Sequence, residues 1–65
     1  MIGTGISEKE LQNLETALAR YGAVVSFEQL SETFQEERTY LRKRISQFAR
    51  KGWLFRIKKG VYVIS

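Results

Sequence analysis

The 65-residue sequence contains no cysteine and no histidine. Their absence removes thiol nucleophiles, disulfides, zinc sites of the usual Cys/His kind and imidazole acid–base chemistry together. Aspartate is missing too, so all seven carboxylates are glutamates. No apolar run is long enough to span a bilayer, and no basic stretch followed by a hydrophobic segment opens the chain; a cytoplasmic location is expected. A chain this short buries only roughly 60% of the surface its unfolded form exposes, which commits nearly every apolar residue to a core. No nucleophile–base pair, metal cluster or phosphate-binding glycine loop can be assembled from these residues. Neither an enzyme nor a cofactor site is expected, nor a small-molecule substrate.

What the chain does have is charge, and it is segregated. Up to Glu37 there are seven glutamates against Lys9 and Arg20, a net of −5; from Arg38 onward there are nine basic residues and no acid, a net of +9. The halves together give +4 and a pI near 9.8. A basic half suits a polyanion, while an acidic half repels it and helps to fix its orientation.

Residues 1–6 carry two glycines and no periodicity, and are read as a flexible leader to a single domain over 7–65. Ser7 with Glu10 makes a capping box, after which Leu11, Leu14, Ala17 and Leu18 follow at helical spacing, predicting a helix over about 8–21 closed by Gly22. Ala23-Val24-Val25 is a short β-branched run that reads as a small strand. Ser26 with Gln29 is a second capping box, and Phe27, Leu30 and Phe34 mark a two-turn helix to about Thr33. Gln35-Glu36-Glu37 interrupts the pattern as a tight turn, its acids suited to the positive end of the next helix. That helix carries Leu41, Ile45, Phe48 and Ala49 on one stripe and ends at Lys51-Gly52. The period then changes to two, with Trp53–Ile57 and Val61–Ile64 flanking Lys58-Lys59-Gly60, which predicts a hairpin. Trp53, Phe55 and Ile57 share one face of it, and Leu54 and Arg56 the other. In so small a domain Trp53 and Phe55 are expected to cover the helices rather than to stack on bases.

The order of elements predicts an α+β fold, a small winged helix-turn-helix: three helices plus a C-terminal β-hairpin wing, with a short strand between helices one and two. On a wheel, helix three turns its apolar stripe inward and leaves Thr39, Tyr40, Lys43, Ser46, Gln47 and Arg50 pointing away. Lys and Arg donate to guanine or phosphate, Gln bonds adenine bidentately, and Thr39 or Tyr40 near the helix start meets a phosphate or a thymine methyl. The expected contacts to double-stranded DNA are therefore Arg38, Thr39, Tyr40, Arg42, Lys43, Arg44 and Gln47 on helix three, with Arg42 and Arg44 reaching backbone phosphates. Lys58 and Lys59 are expected to make contacts from the wing tip, where they also suit a merely solvated turn.

The tail Gly52-Trp53-Leu54-Phe55-Arg56-Ile57-Lys58-Lys59-Gly60-Val61-Tyr62-Val63, with Arg38-Thr39-Tyr40-Leu41-Arg42-Lys43-Arg44-Ile45 before it, resembles the winged-helix domain at the N-terminus of AbiEi-type antitoxins. The similarity covers about residues 7–64. It implies promoter binding at inverted repeats and repression of the system's own operon, with the recognition role on Thr39, Tyr40, Lys43 and Gln47 and the wing role on Lys58 and Lys59. It also implies that antitoxin activity and any homodimer contact belong to a C-terminal region that this chain does not include.

Two other readings remain open at this level. Winged helices also serve as protein-docking modules, and the acidic face of helices one and two, with Glu8, Glu15 and Glu28, suits a basic protein partner. Binding of RNA in place of duplex DNA is the third.

Overall fold

The computed structural model describes residues 6–65, so all of the expected leader but Ile6 lies outside the described residues. Ile6 is partly buried against the core, immediately before the helix cap at Ser7. That is the position from which a hydrophobic staple is made.

Two reciprocal caps set the starts of the first two helices. At α1 (Glu8–Tyr21) the Ser7 hydroxyl accepts from the Glu10 N–H at 3.1 Å, and the Glu10 carboxylate accepts from the Ser7 N–H at 2.9 Å. At α2 (Phe27–Phe34) Ser26 and Gln29 repeat the pair at 3.1 and 3.0 Å. Losing such a serine to alanine costs about 1 kcal/mol. Between them lies β1 (Val24–Ser26). A three-residue turn, 35–37, leads into α3 (Arg38–Lys51), with Gln35 left-handed at φ 54° to end α2. Gly52, at φ 85°, closes α3, and the Trp53 N–H reaches back to the Phe48 carbonyl at 2.8 Å. This closure satisfies the carbonyls of Phe48 and Ala49 and aims the chain into the hairpin.

The hairpin is β2 (Leu54–Lys58) and β3 (Val61–Ile64), and β1 joins it as a third strand in the antiparallel order β1-β3-β2. Cross-strand rows decide which side chains face the helices. Val24, Val63 and Phe55 stand in one row, Val25, Tyr62 and Arg56 in the next, and Leu54 opposes Ile64. Successive rows point to opposite faces. Val25, Leu54 and Ile64 are buried, whereas Val24 and Phe55 are each 55% exposed. The sequence-based expectation for Phe55 is thus corrected: Leu54, not Phe55, covers the helices. The reason is parity, because the Gly52–Trp53 closure puts Leu54 inward and the next residue outward. Trp53 is half-buried and packs on the core as expected.

Every helix and strand except β2's outer end contributes to one core. Leu14 and Ala17 come from α1, Phe27, Leu30 and Phe34 from α2, and Leu41, Ile45 and Phe48 from α3. Phe34 and Phe48 meet with ring centroids 5.9 Å apart. Ala49, expected in the α3 stripe, is exposed; at about 100° per residue it falls on the flank beside Arg42 rather than under the sheet. Leu30, Leu41, Leu54 and Val25 are the largest fully buried side chains. Truncating such a leucine costs roughly 2–5 kcal/mol, comparable to the whole stability of a domain this small.

Candidate nucleic-acid interface

Helix α3 presents a buried stripe and three other surfaces, and those three divide the basic residues by role. The inner stripe of Leu41, Ile45 and Phe48 is buried. Opposite it, Thr39, Tyr40, Lys43, Ser46, Gln47 and Arg50 are all exposed, Tyr40 by 64%. One face of the helix therefore carries hydroxyls, an amide and two cations with nothing packed over them.

The flank toward α1 holds Arg44, and it is not free. Its Nε and Nη2 donate to the two oxygens of Glu36 at 2.8 and 2.6 Å, and its Nη1 donates to Glu10. These groups are only partly exposed, at 27% for Arg44, 28% for Glu36 and 18% for Glu10. Hydrogen bonding to Glu36, against the opposing effect of burial, raises the guanidinium pKa above its ordinary value. The sequence assigns Arg44 to a backbone phosphate; the structure instead gives its donor nitrogens to the α2–α3 turn and the α1 capping box. Arg44 braces α3 at its angle to the other two helices.

The flank toward the wing is the reverse case. Arg38 and Arg42 are exposed, and their guanidinium carbons lie 4.7 and 5.8 Å from the centroid of the Phe27 ring. Guanidinium over an aromatic face is attractive and holds the cation without neutralising it. The same Phe27 donates its backbone N–H to the Gly60 carbonyl in the wing turn at 2.9 Å. An open cleft of about 380 Å³ results, walled by Phe27, Arg38 and Arg42 on one side and by Arg56, Lys59 and Tyr62 on the other. Glu28 is the single acid on its wall.

In the wing, Lys58 is the last residue of β2, paired with Val61, and Lys59 begins the turn that Gly60 completes at φ 78°. Both lysines are exposed. A bulge between Arg56 and Lys58 leaves Ile57 unpaired and 56% exposed. The sequence-predicted residues therefore fall into separate groups. Thr39, Tyr40, Lys43 and Gln47 share the exposed face of α3, Arg38 and Arg42 stand on its wing-side flank with Lys59 across the cleft, Lys58 stays exposed at the end of β2, and Arg44 is turned inward. Sequence reasoning missed Phe27, Arg56 and Tyr62 as walls of this cleft. The signal for Arg56 was present, since it shares its face of β2 with the buried Leu54; the Phe27 contacts join residues eleven and fifteen positions apart and leave no local trace.

Three helices, the last two joined by a tight turn, with a hairpin sheet packed behind them, define a small winged-helix domain with an open basic side. The chain belongs to the AbiEi antitoxin family of transcriptional regulators, whose family model matches residues 12–65. No curated protein and no solved structure matches it.

Proposed function

We propose that this domain binds double-stranded DNA sequence-specifically, as the N-terminal module of a cytoplasmic bacterial transcriptional regulator that represses its own antitoxin operon. One observation carries the reading. Among the described residues, Arg38, Arg42, Lys43, Arg50, Arg56, Lys58 and Lys59 form no ion pair, and all seven stand on α3 or the wing. Seven uncompensated cations on one pair of adjacent elements are the electrostatic footprint of a nucleic-acid surface. α3 enters the major groove with Thr39, Tyr40, Lys43 and Gln47 toward the base edges, and the wing brings Lys58 and Lys59 to the neighbouring backbone. The docking alternative keeps its own residues, Glu8, Glu15 and Glu28, exposed and without an ion pair among the described residues, but these are three charges against the seven of α3 and the wing.

Fluorescence anisotropy against a random-sequence duplex at two salt concentrations tests the reading. The wild-type domain should bind with steep salt dependence, and Lys43→Glu should nearly abolish binding. Once a preferred site is selected, Gln47→Ala should cost about 1–3 kcal/mol at one base position and nothing elsewhere. Salt-independent or absent binding, or equal affinity in Lys43→Glu, would overturn it.

A further inference from the structure

The cleft between the start of α3 and the wing is built differently from the exposed helix face. Four cationic side chains, Arg38, Arg42, Arg56 and Lys59, converge on it from two elements. Two of them lie over one aromatic ring, their guanidinium carbons 4.7 and 5.8 Å from its centroid, and neither forms an ion pair among the described residues. A second hollow of about 360 Å³, bordered by Ser46 and Ala49, continues along α3 and shares Arg42, Arg56 and Tyr62 with the first. The exposure of Ala49 belongs to this geometry, because a small residue there keeps the hollow open. The concavity is thus a short open trough in which four cations outnumber one acid, Glu28, too open to enclose a small molecule.

Building on the DNA-binding reading above, we propose that this trough is a clamp for the phosphodiester backbone of one DNA strand, with Phe27 as its positioning residue. The ring holds Arg38 and Arg42 in place through its face, while the backbone N–H of the same residue holds the wing turn through Gly60. One residue thereby fixes the separation between the two cationic walls. Because a guanidinium bound to an aromatic face keeps its full charge and its in-plane donors, the stack removes rotamer freedom before binding without competing for the phosphate. The clamp carries no sequence information. It sets the register of α3 in the groove, and Lys43 and Gln47 read bases from the position it fixes.

The test measures affinity across a salt series for duplex DNA with Phe27→Leu, Phe27→Tyr, Arg38→Gln, Arg42→Gln and Arg56→Gln, with Arg20→Gln on α1 as control. Each arginine variant should weaken binding equally for all sequences and lower the slope of log affinity against log salt by about 0.9. Phe27→Leu should weaken binding by about threefold or more with its circular dichroism unchanged. Phe27→Tyr, which keeps the ring, should restore wild-type affinity, an outcome a merely structural role for the ring would not require if the leucine variant is fully folded. Neutral methylphosphonate at the contacted linkage should reproduce the arginine losses. If Lys43→Glu abolishes binding while all cleft variants keep wild-type slope, DNA binding stands and the clamp is overturned. If the wild-type domain binds no duplex, both fail. Inorganic phosphate should compete with the duplex through the same cations, and loss of that competition in Arg38→Gln is expected; unchanged affinity of a duplex with methylphosphonate at every linkage facing the trough would overturn the clamp.

Discussion

Arg42 and Arg44 are two positions apart and chemically identical, yet they sit on opposite flanks of α3 with opposite consequences. About 200° separates them around the helix, so one meets the Phe27 ring and the other meets Glu36 and Glu10. An arginine over a ring keeps its charge available; an arginine forked onto a carboxylate has used it. Arg44→Ala should therefore destabilise the domain by about 1–2 kcal/mol, more than an exposed pair because the contact to Glu36 is bidentate and partly shielded. Urea unfolding measures that loss, and DNA affinity per folded molecule should change little. The raised pKa of Arg44 means that its stabilising charge is fully present at every pH below the ordinary guanidinium value and is lost only as pH rises beyond it. Titration near neutrality will not break the bridge, so substitution is the usable probe.

At the scale of elements, the turn between α2 and α3 is the weakest-written part of the fold. Gln35 occupies a left-handed conformation without being glycine, and Glu37 stands at the α3 cap with no side-chain hydrogen bond to the helix. Ser7 and Ser26 show what a working cap looks like in this chain. Glu37→Ser should add about 0.5–1 kcal/mol of stability by satisfying an orphan N–H at the start of α3. Glu37 also borders the hollow formed with Tyr40, Lys43 and Gln47. Its removal should strengthen DNA binding at low salt as well, read as a parallel rise in urea midpoint and affinity. The helices themselves were legible because their signals are local: two capping boxes, a glycine closure and a period of 3.6. The inward face of the hairpin was not. Trp53, Leu54 and Phe55 are consecutive and all apolar, so alternation alone leaves either parity open, and only the Gly52–Trp53 closure decides it. In the same way the wheel showed which residues leave the core stripe, but the direction in which each flank faces depends on where α1 and the wing pack.

For the whole molecule, the separation of charge along the chain becomes a separation in space with one internal exchange. Arg44 crosses from the basic half to satisfy Glu10 and Glu36, so the two halves are riveted together at the α1–α3 contact while the remaining cations stay on α3 and the wing. A surface organised this way has a calculable response to salt. If Arg38, Arg42, Arg56, Lys58 and Lys59 each displace a counterion, the slope of log affinity against log salt approaches about −4.5, and affinity falls about five-hundredfold between roughly 50 and 200 mM salt. Sequence preference should persist across that range, because base contacts release few counterions and the shared backbone term cancels between two duplexes. Anisotropy titrations of a selected site and a scrambled one, each over the salt series, measure both quantities at once. A slope near −2 would mean that only one wall of the domain touches the backbone. A slope near −4.5 with parallel lines for the two duplexes would place α3 and the wing on DNA together and leave the discrimination to the few side chains between them.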